Sequence, residues 1–211
     1  MSTPVSSLDA RAPVASPRAE HASLRLAPID SYKGFWLGFL RTAFRWVFGK
    51  VMLPLRVIFP RIPGYAFPHL CLLMFMERSV SLPRPLMHVL SMRVSRNNDC
   101  SFCFDAHQAA FVLDKPDPAL LLTATLDLDD PTLDARTRAV MAYADEVVHQ
   151  GTVSDATFAG LTAHFDERQV VEIVWVAAWV IFMNMLARPL GLPSDGLCAL
   201  AVAKVRARTP A

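Results

Sequence analysis

The sequence predicts an all-α protein with a single folded domain. Apolar residues recur at spacings of three and four along successive segments, which is typical of amphipathic helices. Capping residues and prolines separate these segments. The chain does not offer the strand pattern that a flavin- or nicotinamide-binding fold needs. With 211 residues, 53% of them hydrophobic, the chain is long and apolar enough to bury a sizeable core.

Charge and composition bear on the partners and on the location. The formal net charge of +2 gives no indication of a nucleic-acid partner. Residues 1–30 are rich in Ser, Ala, Pro and Arg without helical periodicity, so we expect a disordered tail there and a folded domain over residues 31–211. The tail lacks the apolar core of a signal peptide, and we therefore expect a cytoplasmic rather than a secreted protein.

Residues 31–76 contain no acidic residue and many aromatic ones. A spacing of three and four over residues 31–52 predicts an amphipathic helix, for which two interpretations are open. A basic aromatic helix can lie on an anionic membrane surface, which would make residues 31–52 a peripheral membrane contact. The interpretation we favour is that the helix packs its apolar face on the domain or on another subunit. The most apolar stretch, residues 62–76, is interrupted by Pro63 and Pro68 and does not reach the length of a spanning helix.

The later helices are predicted from apolar spacing and from caps. They lie at about residues 69–76, 83–95, 99–113, 117–126, 133–149, 154–163, 166–187 and 197–206. Gly151 and the pair Asp166 and Gln169 are boundary signals, the first as a helix stop and the second as a capping box. Residues 173–187 are uncharged and rich in Val and Ile, so composition alone permits a strand. Length and the preceding cap favour a buried helix, in which Trp175 and Trp179 form core or subunit contacts.

One short stretch carries the chemistry. Cys100, Cys103 and His107 lie at spacings of three and four, on one stripe of a helix that Asn98 or Asp99 would cap. Unpaired N–H groups and the dipole at a helix start favour a thiolate. A histidine one turn later can take a proton and return it. These residues predict a dithiol redox centre, while Cys71 and Cys198 are expected to be packing residues.

Two blander interpretations of the dithiol stay open. The cysteines could simply pack in the core. Alternatively, Cys100, Cys103 and His107 could bind zinc, with His88 as the nearest fourth ligand. Covalent haem attachment is excluded, because Phe104 stands where the haem-binding histidine would follow the second cysteine. The sequence also has no glycine-rich phosphate loop that would indicate a nucleotide cofactor. Because the dithiol itself carries the electrons, the redox interpretation requires neither a cofactor nor a metal.

The motif at residues 95–103, followed by His107, resembles that of the carboxymuconolactone decarboxylase and AhpD-like alkylhydroperoxidase family. The likeness extends over roughly residues 40–195. Further segments that resemble the family are residues 133–139, Tyr143-Ala144, residues 153–155, residues 164–172, Asn184 and residues 190–193. The resemblance implies an AhpD-like helical bundle and, as activity, thiol-dependent reduction of hydroperoxides.

The resemblance also implies roles for individual residues. Cys103 matches the cysteine that attacks the peroxide, Cys100 matches its resolving partner, and His107 matches the histidine of the proton relay. The family usually has a glutamate twelve residues before the first cysteine, and this sequence has His88 there. Because histidine can also accept a proton near neutral pH, we expect His88 to serve as a substitute relay.

The implied partners are a hydroperoxide substrate and an external dithiol reductant, such as a lipoyl-bearing or thioredoxin-like protein. Family members are commonly trimers or larger, so a homo-oligomer, trimer or hexamer, is expected. Two other functions stay open. The lactone-decarboxylating branch of the family acts without this cysteine pair, and retention of Cys100 and Cys103 argues against it. A non-catalytic zinc-binding or membrane-surface interaction protein is the other alternative.

Overall fold

In the computed structural model, the described residues are 24–31, 35–114 and 123–208. These ranges contain nine α-helices and no strand, which confirms an all-α domain. The helices are α1 (Phe35–Phe48), α2 (Pro54–Val57), α3 (Ala66–Ser79), α4 (Arg84–Asn97), α5 (Ser101–Leu113), α6 (Ala135–Gln150), α7 (Asp155–Thr162), α8 (Glu167–Ala187) and α9 (Leu197–Arg208). Most of the helix predicted over residues 117–126 lies outside the described residues, and residues 123–125 form a 3-10 turn.

The boundary of the predicted tail needs a correction. Residues 1–23 lie outside the described part of the chain. Residues 24–30, however, are folded against the domain. The Arg25 N–H donates to the carbonyl of Leu190 at 3.0 Å, and the Ile29 N–H donates to that of Arg56 at 2.7 Å. Asp30 also receives a bidentate hydrogen bond from Arg56. Amino-acid composition shows only that the segment has few apolar residues. It does not predict backbone hydrogen bonds or ion pairs to distant parts of the chain.

Helix α1 packs its apolar face on the protein, as the favoured interpretation predicts. Leu37 and Leu40 are buried in a cluster with residues of α2 and α3. The helix is shorter than predicted, because Gly49 adopts a φ of +76°, a left-handed conformation in which the helix cannot continue. The opposite face of α1 still exposes aromatic side chains. These are Phe35, Trp36, Phe39 and Trp46.

Helix α3 begins three residues before the predicted start at His69. The prediction took Pro68 as an interruption. In the structure Pro68 is the third residue of the helix, where a backbone N–H has no partner within the helix, so that the missing donor costs nothing.

The core is built around α4, which packs on α5, α6 and α8. Every residue from Leu86 to Ser95 is buried. Helix α8 begins with the predicted capping box, in which the Asp166 carboxylate accepts from the Gln169 N–H at 2.8 Å. The helix over residues 173–187 is therefore confirmed, and a strand there is excluded.

Helix α8 is 21 residues long and contains an 18-residue window with a mean hydropathy of 2.1, so by length and composition it could cross a membrane. No other helix in the described ranges meets that criterion. The core helix of a globular domain passes the same test, and α8 packs against α4, α5, α6 and α7. Its outer face nevertheless carries exposed apolar side chains. These are Val171, Val174, Trp175, Phe182 and Met185.

A buried carboxylate joins the C-terminal helix to the dithiol helix. Asp105 on α5 accepts hydrogen bonds from the backbone N–H groups of Asp195, Leu197 and Cys198 at 2.9–3.0 Å. The Asp195 carboxylate in turn accepts from the Leu53 N–H at 2.9 Å, in the loop between α1 and α2. Two successive carboxylates thus fix α9 and the N-terminal helices relative to α5.

Candidate functional site

A tight turn between α4 and α5 places the two cysteines. Asp99 has a φ of +50°, a left-handed conformation that aspartate tolerates better than most residues. The Cys100 N–H then donates to the carbonyl of Ser95 at 2.9 Å, which closes the end of α4. The N-cap of α5 is Cys100 itself, instead of Asn98 or Asp99 as predicted, because the chain needs Asn98 and Asp99 for the turn.

Cys100 and Cys103 form a disulfide, with their Cα atoms 5.3 Å apart. This separation lies within the usual range for bridged cysteines. Both residues are buried, and the Cys103 N–H donates to the Cys100 sulfur at 3.4 Å. A sulfur at the N-cap that accepts a backbone N–H is the arrangement that favours a thiolate once the bridge is reduced.

The other two cysteines differ from this pair. Cys198 is buried, as expected, and burial together with the neighbouring Asp105 carboxylate raises the pKa of its thiol to about 11. It is therefore an unreactive thiol at neutral pH. Cys71 is exposed, which contradicts its interpretation as a packing residue, because α3 turns this part of its surface to solvent.

His107 lies one turn after Cys103 and is half-buried. Burial, and to a lesser extent the charge of nearby His88, lowers the pKa of His107 to about 4. The ring is therefore neutral at cellular pH and has one nitrogen that can accept a proton.

His88 is buried on α4, and its ring packs edge-on against Phe111 of α5, with centroids 5.8 Å apart. Its Nε2 donates to the Asp114 carboxylate at 2.8 Å. His88 and His107 also line a common small cavity of about 50 Å³, together with Ser91. A cavity of this size can hold water. The structure thus brings together the two histidines that the sequence singled out.

Asp114, at the end of α5, provides a carboxylate next to His88, which stands where the resembling family usually has a glutamate. Burial alone would raise the pKa of Asp114, but hydrogen bonds from Arg84 and His88 outweigh this effect and lower it. Arg84 bridges Asp114 at 2.8 Å to Glu77 at 2.8 Å. Asp114 was not among the site residues predicted from the sequence. The sequence did contain an indication that Asp114 belongs to the site. His107 follows Cys103 by four residues and Asp114 follows His107 by seven, spacings that place all three on one side of a helix.

An apolar cavity of about 240 Å³, here called the dithiol chamber, lies in front of Cys103. Its wall includes Phe102, Cys103 and His107 of α5, Phe44 of α1, Phe59 after α2, and Trp179 of α8. Cys100 is not part of this wall. Of the two cysteines, Cys103 is therefore the one that a bound molecule meets.

A third histidine, His69, also lines the chamber, and sequence reasoning missed it. Its ring lies between Phe59 and Trp179, with centroid distances of 5.2 and 5.0 Å. Burial lowers the pKa of His69, so this ring is neutral as well. A histidine separated from the dithiol by more than thirty residues carries no local signal. Trp179, interpreted as a core or subunit contact, is half-buried at this wall.

Among the described residues, no group of three or more His, Cys, Asp or Glu side chains is arranged to hold a metal ion. The zinc alternative requires Cys100, Cys103, His107 and His88 to converge, and both cysteine sulfurs are in the disulfide instead.

Comparison with known proteins identifies the type of fold. No family model matches the sequence. An uncharacterized protein of Escherichia coli K12, YnjA, is 28% identical over 159 residues, which are 72% of this chain and 85% of that protein. The solved structures that resemble this chain include AhpD-like and peroxidase-related proteins, so the chain has the AhpD-like fold.

Two of these structures are similar over most of the chain. An uncharacterized peroxidase-related protein with an alkylhydroperoxidase AhpD core, from Ralstonia eutropha JMP134, has a TM-score of 0.66 and 18% identity, and the match covers 85% of this chain and 97% of that one. The debrominase Bmp8 has a TM-score of 0.72 and 14% identity, covering 88% of this chain and 100% of that one. A Bmp8 structure with a cysteine replaced holds 2,3,4-tribromopyrrole. The AhpD-like fold therefore serves more than one activity.

Proposed function

We propose that the protein is a thiol-dependent hydroperoxide reductase. The observation that carries the proposal is the disulfide between Cys100 and Cys103 at the start of α5, of which only Cys103 faces the dithiol chamber. The helix start stabilises the Cys103 thiolate, the neutral histidine can accept its proton, and the cavity gives a peroxide access to it. The AhpD-like fold supports the same chemistry.

The reaction begins with the reduced dithiol. The Cys103 thiol gives its proton to neutral His107, and the thiolate attacks the terminal oxygen of the hydroperoxide. The O–O bond breaks, the alkoxide leaves with the proton from His107 as an alcohol, and Cys103 becomes a sulfenic acid. The Cys100 thiol then displaces water from that acid and forms the disulfide. Two thiols and one hydroperoxide thus give one disulfide, one alcohol and one water.

His88 and Asp114 extend the proton path. The small cavity that His88 shares with His107 allows a proton to pass between the two rings through water. A protonated His88 would by itself repel a protonated His107. The Asp114 carboxylate, which accepts from His88 at 2.8 Å, offsets that repulsion. In the proton relay, the pair of His88 and Asp114 thereby replaces the glutamate that is usual in the AhpD-like family.

The cycle closes when an external dithiol reduces the disulfide by exchange, with two electrons and two protons returned to Cys100 and Cys103. A lipoyl group or a thioredoxin-like protein has the required chemistry. A homo-oligomer, trimer or hexamer, fits the exposed apolar face of α8, because monomeric proteins seldom expose a continuous apolar surface.

The experiment adds one equivalent of hydroperoxide to the reduced protein and maps its cysteines by mass spectrometry. We expect a disulfide between Cys100 and Cys103, with Cys71 and Cys198 still alkylated as thiols. In the Cys100→Ser variant the sulfenic acid should persist on Cys103 and react with dimedone, whereas Cys103→Ser should consume no peroxide. Peroxide consumption in Cys103→Ser equal to that of the wild type would overturn the assignment of the nucleophile.

A second function, reductive dehalogenation, is favoured by the likeness to the debrominase Bmp8 over 88% of the chain and by the apolar chamber. In that reaction the Cys103 thiolate takes bromine from carbon, His107 protonates the carbanion, and Cys100 forms the disulfide as bromide leaves. One aryl bromide and two thiols give one arene, one disulfide and HBr. Incubation of the reduced protein with 2,3,4-tribromopyrrole should release bromide in step with disulfide formation if this function is present, and none if it is not.

A further inference from the structure

The dithiol chamber has the size for a substrate that contains a ring. Its volume is about 240 Å³. An apolar cavity of about 150 Å³ already accommodates benzene, so the chamber has room for a substituted benzene. Helix α5 contributes Cys103 to its wall, and the N-terminal helices contribute Leu40, Phe44 and Leu70.

Aromatic side chains form much of that wall. His69 lies between Phe59 and Trp179 at centroid distances of 5.2 and 5.0 Å, and Phe44 stacks on Phe48 at 5.8 Å. Rings arranged in this way offer both faces and edges to a ligand. Aromatic pairs in edge-to-face or offset geometry stabilise each other beyond the burial of their area. A planar ring is therefore a better occupant than a flexible alkyl chain of equal volume, which also loses more conformational entropy on binding.

No described residue that lines the chamber carries a group that would neutralise an anion. None of its described lining residues is Lys or Arg. The two imidazoles that face it, His69 and His107, are neutral because burial lowers the pKa of each. Glu77 is the one carboxylate among the described lining residues, and it is paired with Arg84 outside the chamber. An anionic ligand would enter an apolar space with a carboxylate at its rim, at a large desolvation cost.

We propose that the dithiol chamber is a binding site for a neutral aromatic substrate, whose reactive group faces Cys103 while its ring lies among Phe44, Phe59 and Trp179. This inference rests on the proposed function, for which it specifies an aryl-substituted alkyl hydroperoxide without charge. One such hydroperoxide and two thiols give the aryl-substituted alcohol, water and the disulfide, and an external dithiol is the reductant.

Three hydroperoxides test the inference on the wild-type protein. They are cumene hydroperoxide, its para-carboxylate, and hydrogen peroxide, each assayed with dithiothreitol as the dithiol. We expect kcat/KM for cumene hydroperoxide to exceed that for the carboxylate by at least about tenfold, because the added charge must be desolvated. Equal kcat/KM values for these two compounds, or a preference for hydrogen peroxide, would overturn the proposal.

A variant pair locates the site. Leu70→Trp fills the chamber from α3, whereas Leu72→Trp makes the same change on the same helix at an exposed position. We expect the first variant to lower kcat/KM for cumene hydroperoxide by at least about tenfold, through steric exclusion, and the second to leave it unchanged. Equal effects of the two variants would contradict the placement of the substrate.

A binding measurement separates this inference from the proposed function. The probes are 2-phenyl-2-propanol, which is the neutral product of cumene hydroperoxide, and its para-carboxylate, titrated by calorimetry. If the wild type turns over no hydroperoxide but binds the neutral alcohol, and Leu70→Trp does not, the chamber is confirmed and the peroxidase proposal fails. If hydroperoxides are reduced but the neutral alcohol does not bind, the peroxidase proposal survives and the aromatic site is refuted.

Discussion

The low pKa of His107 has a measurable consequence for stability. An unfolded chain would protonate this histidine at about pH 6.5, whereas the folded chain does so at about pH 4. Between these values the unfolded state binds more protons, so the free energy of unfolding falls as the pH decreases through this window. Above pH 6.5 the histidine is neutral in both states and imposes no penalty.

The size of the effect follows from the two pKa values. Each pH unit of difference is worth about 1.4 kcal/mol, so the full penalty is about 3 kcal/mol once the pH is below 4. Between pH 7 and pH 5, where the measurement is practical, this penalty lowers the free energy of unfolding by about 2 kcal/mol. These figures are upper limits, because the half-buried ring borders two cavities, and water there lessens the cost of its charge.

The assay is urea unfolding of the oxidised protein at pH 7 and at pH 5, for the wild type and for His107→Gln. The glutamine side chain does not titrate. On going from pH 7 to pH 5, we therefore expect the free energy of unfolding of this variant to fall by up to about 2 kcal/mol less than that of the wild type. His164→Gln, the same substitution at an exposed histidine, is the control. If His107→Gln and the wild type lose the same stability between the two pH values, burial does not lower the pKa of His107 and the stability argument is refuted.

Four further substitutions have defined outcomes. His88→Ala should lower the rate of peroxide reduction by roughly 10²-fold, and Asp114→Asn should lower it less while shifting its pH profile; unchanged kinetics in both variants would rule out the relay. Trp175→Glu, on the exposed face of α8, should reduce the mass measured by light scattering, and a wild type already monomeric at micromolar concentration would refute the oligomer. Asp105→Asn should lower the free energy of unfolding in urea by about 1–3 kcal/mol, because it weakens three hydrogen bonds to the start of α9, and full stability would contradict that anchoring role.

The sequence by itself determined the helices and the local part of the site. Gly151 and the pair Asp166 and Gln169 mark helix ends as predicted, since a cap depends on residues within about four positions of each other. The alignment of Cys103 and His107 could be predicted for the same reason, because helical spacing puts residues four apart on one stripe of α5. The identity of the N-cap was predicted wrongly, as the tight turn after α4 takes up Asn98 and Asp99.

Only the tertiary structure decided which distant groups complete the site. His88 and Asp114 are 26 residues apart, and their hydrogen bond depends on how α4 packs against α5. The chamber likewise needs α1, α3 and α8 to meet in front of Cys103, with His69 turned toward it. Local spacing shows which residues share a face of one helix. It does not show which faces of different helices come together, because that depends on the packing of the whole core.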